Sequence, residues 1–164
     1  MVLLAFFNRK MRKKMPDKVE KTELVNMCMI SDGNGKVLVQ DRVKSWRGVA
    51  FPGGHVEKYE SIVDSVIREI KEETGLTISD VKLCGIKQWF SDDVRSICFL
   101  FKTNHFEGEL KSSDEGRNFW IKRSDIGNYK LAPLFDIFLK VFEDPDISEY
   151  YHPMDGEETD VLLK

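Results

Sequence analysis

Between Gly53 and Leu76 the chain reads Gly-Gly-His-Val-Glu-Lys-Tyr-Glu-Ser-Ile-Val-Asp-Ser-Val-Ile-Arg-Glu-Ile-Lys-Glu-Glu-Thr-Gly-Leu. A glycine turn opens this stretch and an amphipathic helix follows. Ser61 with Asp64 has the pattern of a capping box, and Gly75 stands where a helix C-terminal glycine belongs. Ile62, Val63, Val66, Ile67 and Ile70 recur at helical spacing and predict a buried stripe. The other face is acidic. Glu69, Glu72 and Glu73 are at i, i+3 and i+4, a spacing that brings like charges together and costs the helix stability. A hard divalent cation removes that cost, because Mg²⁺ takes carboxylate oxygens and keeps several waters for a phosphate-bearing substrate. A solvated charge run is the plainer reading of the same residues.

The stretch resembles the Nudix box: Gly, five residues, Glu, seven residues, Arg-Glu, an aliphatic residue, any residue, Glu-Glu, any residue, Gly and an aliphatic residue. Here those positions are Gly54, Glu60, Arg68, Glu69, Ile70, Glu72, Glu73, Gly75 and Leu76, with no departure. At typical residue frequencies, a chance match to the strictly specified positions in a chain of this length is on the order of one in a million. The resemblance implies an α/β (α+β) fold, the Nudix α-β-α sandwich, with a mixed central sheet and the box as loop-helix-loop. It implies that Glu69, Glu72 and Glu73 bind Mg²⁺, with Mn²⁺ as a substitute, helped by the backbone carbonyl of Gly53. Glu60 would pair with Arg68 and hold the loop on the helix, a structural task shared with Gly54 and Gly75. Nudix enzymes often add a carboxylate on a loop before a tryptophan. The segment Ser112-Ser113-Asp114-Glu115-Gly116, followed by Trp120, matches that place and makes Glu115 a further metal candidate; a simple turn acid is the alternative. Glu69 and Glu115 are the two choices for the catalytic base.

A looser likeness to MutT-like members runs from about Leu24 to Phe142. Arg42 matches an arginine that contacts substrate phosphates in that subgroup. Phe51, Trp89 and Phe90 are candidates for a base-stacking pocket, since an aromatic face holds a purine well, although aromatic residues in strands commonly belong to a core. His55 and Lys58, on the glycine loop, could meet phosphate oxygens. The side motifs of ADP-ribose, diadenosine-polyphosphate, NADH and coenzyme-A hydrolases are missing. The segment Gly85-Ile86-Lys87-Gln88-Trp89 and the spacing to Glu115 are most similar to 8-oxo-dGTP diphosphatases. There is one departure: the asparagine that reads the oxidised purine is replaced by Leu131, with Asn128 three residues earlier. The implied function is a Mg²⁺-dependent nucleoside triphosphate pyrophosphohydrolase that releases nucleoside monophosphate and pyrophosphate. The alternatives are a hydrolase of another nucleoside diphosphate derivative and, from a different class, a non-catalytic Nudix-fold ligand sensor. The last usually carries an eroded box.

The rest of the chain frames this centre. Residues 1–20 are read as a flexible extension, 21–143 as the domain, and 144–164 as a polar tail with Tyr150 and Tyr151 as anchors. Leu24–Ile30 and Lys36–Arg42 are predicted strands around Asp32-Gly33-Asn34-Gly35, a strong turn signal. Val81–Ser91 and Arg95–Phe106 form a predicted hairpin, Glu107-Gly108-Glu109 a second turn, and Phe119–Ile121 a short strand. Leu131–Glu143 is a predicted helix with Pro133 in its first turn. It is apolar on both faces, so it is either deeply buried or shared with a partner subunit, in a monomer or a homodimer. A net charge of −3 gives no case for a nucleic-acid polymer as partner. Cys28, Cys84 and Cys98 have no metal spacing and read as reduced thiols, which suits the cytoplasm. No apolar run approaches ~18 residues, so no membrane span is expected. The charges at the N-terminus follow the apolar residues, the reverse of a secretion signal.

Overall fold

The computed structural model of the protein describes residues 19–157 and 160–164, so the expected N-terminal extension lies almost wholly outside the described residues. The strands are β1 (Lys21–Ile30), β2 (Lys36–Arg42), β3 (Gly48–Ala50), β4 (Leu76–Ser79), β5 (Lys82–Ser91), β6 (Val94–Thr103), β7 (His105–Gly108), β8 (Gly116–Lys122), β9 (Glu149–Tyr151) and β10 (Leu162–Leu163). The helices are α1 (Ile62–Thr74) and α2 (Phe135–Glu143), with a 3-10 helix over Arg123–Asn128. The main sheet has the order β1-β6-β5-β9-β10, flanked by a three-stranded sheet β3-β2-β8 and the pair β4-β7. β1 runs parallel to β6, β5 antiparallel to β6, and β9 parallel to β5, so the main sheet is mixed as expected.

Alternation along the strands sends side chains to two cores, one on each face. In β1, Cys28 and Ile30 face α1, with Val66, Ile70 and Phe101. Val25, Met27 and Met29 face the other way, toward the cluster built on α2 with Cys98, Leu100, Phe138 and Phe142. β2 divides likewise: Leu38 faces α1, while Val37 and Val39 face α2. The same parity directs Gln40 toward α1, which matters for the site. α2 is buried within its own chain: Phe51 stacks edge-on against Phe135 and Phe142, and Phe138 meets Tyr150.

Several expectations are corrected. α2 begins at Phe135, not Leu131; Pro133 precedes it, and Leu134 takes a left-handed φ of 60° at its N-terminus. Residues 107–108, expected to turn, belong to β7 and pair with β4. β3 and β4 were not anticipated, being too short to show an alternation. Val63, placed in the buried stripe, is exposed on α1, and Ser65, Glu73 and Thr74 are buried instead. The segment 144–164, expected as a tail, supplies β9 and β10 to the main sheet. Tyr150 is its anchor and is only 1% exposed.

Candidate active site

The glycine loop is pinned to β1 by backbone hydrogen bonds. Asn26 N donates to Gly54 O at 2.8 Å, Cys28 N to Pro52 O at 3.0 Å, and Val56 N to Leu24 O at 2.9 Å. The approach is close enough to require glycine. A Cβ on Gly53 would stand 2.2 Å from the carbonyl oxygen of Asn26, and one on Gly54 would stand 2.4 Å from Glu69 Oε2. Asn26 joins the loop to the helix as well. Its Oδ1 accepts from Gly54 N at 3.3 Å, and its Nδ2 donates to Ser65 Oγ at 3.0 Å.

α1 starts at Ser61, whose hydroxyl accepts from Asp64 N, and ends at Gly75 with a left-handed φ of 76°. Arg68 is the hub of its acidic face. Its guanidinium takes Glu60 bidentately, at 2.7 and 2.8 Å, as the box resemblance implies. It also reaches His55 O at 3.0 Å, Glu69 Oε1 at 2.9 Å and Glu72 Oε2 at 3.2 Å. One cation therefore holds the loop and two of the three clustered carboxylates. The Arg68 bond keeps the Glu60 carboxyl down at about 2.

The three glutamates are not equivalent. Glu72 is largely exposed, the side chain of Glu69 is mostly covered, and Glu73 is buried. Glu73 Oε2 accepts from Gly53 N at 3.1 Å and from Gln40 Nε2 at 3.3 Å. Burial pushes its carboxyl up to about 7, against the pull of the Gly53 N–H. Asn118, paired with Gln40 across β2 and β8, donates to the Glu73 carbonyl at 2.6 Å and to Lys111 O at 2.9 Å. The flanking sheet thus clamps the last turn of α1. Gln40 Oε1 and Asn118 Oδ1 have no hydrogen-bond partner among the described residues.

Glu115 lies across the cleft, on the loop before β8. Its carboxylate meets Lys44 Nζ at 2.7 Å, as does Asp114. The resemblance did not single out Lys44, because its part depends on the β2–β3 loop meeting the 112–116 turn. Glu69, Glu72, Glu73 and Glu115 line one cleft of about 490 Å³, together with Arg42, Lys44, Gly53 and His55.

A second cavity, about 170 Å³ and mostly apolar, opens beside the first and shares Arg42, Ser45, Gly53, Gly54 and His55 with it. Trp46, Trp89, Phe138 and Lys87 give it an aromatic wall with a cation, and Ala132 and Pro133 close one side. Trp89, a candidate from the sequence, lines this cavity. Trp46, at a left-handed φ of 53°, stands edge-on to it with ring centroids 5.8 Å apart. Arg42 sits at the junction of the two cavities, its Nε donating to Ser45 O. Three candidates are corrected. Phe51 is fully buried between Phe135 and Phe142 and belongs to the core. Asn128 ends the 3-10 helix, is exposed, and lines neither cavity. Phe90 packs under Arg95 and against Tyr151, outside the pocket. Lys58 lies over the Tyr59 ring. His55 lines both cavities with its ring nitrogen 3.1 Å from Glu23.

The donor chemistry of the first cleft suits a hard divalent cation: five carboxylates (Asp114 beside the four glutamates), no thiolate, and a histidine already engaged by Glu23. Among the described residues no three such groups are drawn together as a finished metal cage. Arg68 engages Glu69 and Glu72, Lys44 engages Glu115, and the Gly53 N–H engages Glu73.

Comparison with known proteins agrees with this architecture. The model of the NUDIX domain matches residues 21–144. The uncharacterized Nudix hydrolase YvcI of Bacillus subtilis is 35% identical over 115 residues, covering 66% of this chain and 72% of that one. An ADP-ribose pyrophosphatase of Methanocaldococcus jannaschii is 35% identical over 92 residues, 54% of either chain. Among solved structures, a mutator MutT protein of Bacillus halodurans superposes with a TM-score of 0.70 at 30% identity, covering 86% of this chain and 97% of its own. With a family model spanning β1 to α2, the glycine loop and α1 included, the chain belongs to the Nudix family, as a hydrolase of phosphoric anhydride bonds.

Proposed function

We propose that the protein is a Mg²⁺-dependent nucleoside triphosphate pyrophosphohydrolase of the cytoplasm, with 8-oxo-dGTP preferred over dGTP. One observation supports this above the others: the acidic cleft and the aromatic pocket are contiguous through Arg42, Ser45 and the glycine loop. A nucleotide with its phosphates among the glutamates therefore has its base beside Trp46 and Trp89. Glu69, Glu72, Glu73 and Glu115, with the Gly53 carbonyl, would hold Mg²⁺. When bound, the ion neutralises phosphate charge and lowers the pKa of water. Arg42 would take a phosphate oxygen at the junction. Glu69 or Glu115, both on the cleft wall, would accept the proton of the attacking water. Water attack at phosphorus breaks one anhydride bond and yields nucleoside monophosphate and pyrophosphate.

The two nucleotides differ by a carbonyl at C8 and a proton on N7. With Asn128 outside the pocket, a backbone carbonyl of the segment 131–133 is the acceptor for that proton. Mismatching a buried acceptor costs ~1–3 kcal/mol, roughly ten- to a hundredfold in kcat/KM. The test is kcat/KM for 8-oxo-dGTP, dGTP and ADP-ribose under one set of conditions. ADP-ribose is included because a relative carries that activity in its name. We expect at least tenfold preference for 8-oxo-dGTP, or ~1.4 kcal/mol. A ratio to dGTP within about threefold, well under that ~1.4 kcal/mol, would leave a general nucleotide pyrophosphatase, and dominant ADP-ribose turnover would replace the substrate assignment.

A further inference from the structure

Lys87 is an odd residue for the middle of a sheet. It stands on β5 between Cys98 of β6 and Tyr150 of β9, on the face covered by α2. It is buried, yet lines the aromatic pocket. Its Nζ lies 4.2 Å from the Phe138 ring centroid, 4.9 Å from those of Trp46 and Trp89, and 5.5 Å from that of Tyr150. Ring faces attract an ammonium but do not use its three N–H donors as oxygen acceptors would. Among the described residues no carboxylate forms an ion pair with it. A buried cation without an anionic partner is costly, and a core position would be served better by methionine or leucine.

The other polar groups on the pocket wall have partners. Glu23 is engaged by His55 and Ser96, and Asn26 by Ser65 and Gly54. Arg42 Nε donates to the Ser45 carbonyl. Glu23, the carboxylate on this wall, is exposed and already engaged, whereas Lys87 is a buried donor with no ion-paired carboxylate among the described residues.

We propose that Lys87 is the specificity-determining residue of the base pocket, donating to a ring carbonyl so that keto bases are accepted and bases with an exocyclic amine at that edge are refused. This rests on the nucleotide-hydrolase reading above and narrows its substrate class to guanine-, hypoxanthine- and uracil-type nucleotides, oxidised guanine included. Adenine and cytosine would set an amine against the ammonium, donor facing donor, with neither hydrogen bond made. Such a mismatch in a buried site lowers kcat/KM by roughly ten- to a hundredfold.

The test uses the full chain, with kcat/KM for GTP, ITP, UTP, ATP and CTP by pyrophosphate release. The wild type should favour GTP over ATP and UTP over CTP by about tenfold or more. Lys87→Met fills the same space without donors and should bring both ratios to within about threefold, mainly through loss on the keto substrates. Lys87→Gln, which keeps an amide donor, should recover part of the preference, and melting curves establish that each variant is folded. Wild-type ratios near unity, or ratios unmoved in a folded Lys87→Met, overturn the proposal while the hydrolase reading stands. Should Lys87→Met not fold, the wild-type and Lys87→Gln ratios decide alone. If the wild type turns over none of the five nor 8-oxo-dGTP, the nucleotide reading itself fails and takes this proposal with it.

Discussion

Glu73 Oε2 accepts the backbone N–H of Gly53 at 3.1 Å, tying the last turn of α1 to the glycine loop twenty residues before it. The bond orders the loop whose carbonyl is the expected backbone ligand, and it comes from a residue held from the neighbouring sheet, where Gln40 donates to its carboxylate and Asn118 to its backbone carbonyl. Geometry at the cleft is therefore set by three separate elements.

Hydrolysis should require Mg²⁺ or Mn²⁺ and cease with a chelator. Glu72→Gln and Glu73→Gln should each lower kcat by at least ~10²-fold, the scale of losing one electrostatic stabiliser. Both should fold, because glutamine keeps the acceptor that Gly53 needs and relieves the repulsion on α1. Steady-state rates at limiting metal, with melting temperatures alongside, check this; a wild-type rate in either variant would remove that residue from the metal set.

The Glu60–Arg68 pair should show in stability against pH. The ordinary carboxyl value of 4.5 is lowered to about 2 in the folded chain. A depressed carboxyl stabilises above its unfolded pKa, and that contribution is lost as pH falls through the folded one. The melting-temperature gap between wild type and Glu60→Gln should be full above pH 4.5 and close as pH falls toward 2. A gap constant across that range would contradict the pairing.

The two loop glycines should fail in different ways. Alanine at Gly53 meets the backbone of Asn26, which cannot move aside, and should cost ~1–3 kcal/mol or more in chemical denaturation. Alanine at Gly54 meets the end of the Glu69 side chain, which can turn away. Its stability cost should be smaller and its kcat loss larger in proportion.

Lys87 predicts a rise of stability with pH as well, in the alkaline range. Burial lowers its ammonium from 10.5 to about 8. Between those values the unfolded chain binds the additional proton, so this group's contribution to stability rises with pH across the window. Lys87→Met lacks it and should be the more stable protein at neutral pH, with its advantage shrinking from pH 8 to 10.5. Melting curves at fixed ionic strength read the difference.

Residues beyond 144 should be indispensable to folding although the family match stops there. Tyr150→Ala removes a buried ring packed on Phe138 and should cost ~3–5 kcal/mol, as large aromatic deletions in cores do. A chain ended after Asp144 should lose more than the point variant, since β9 and β10 go with it. Denaturant midpoints for both would expose a dispensable tail if they stayed at the wild-type value.

The parts of this protein written in neighbouring residues were legible from the sequence. Ser61 and Gly75 bound α1 within a residue, β1, β2, β5 and β6 were legible as strands, the glutamate cluster followed from spacing along one helix, and the Glu60–Arg68 pair from the resemblance of the box. Such features depend on local backbone periodicity and on side chains a turn apart. What stayed hidden depends on several segments at once. β3, β4 and β7 are strands because partners far along the chain complete their hydrogen bonds. Phe51 and Trp89 are both aromatic residues near the site, yet one is sealed by Phe135 and Phe142 and the other faces the pocket; only the packing of α2 on the sheet separates them. Lys44 meets Glu115 because two loops converge. Lys87 stood in the sequence only as part of the segment Gly85–Trp89, and it becomes a buried cation among rings because β6, β9 and α2 all close over it, a burial that no local pattern encodes.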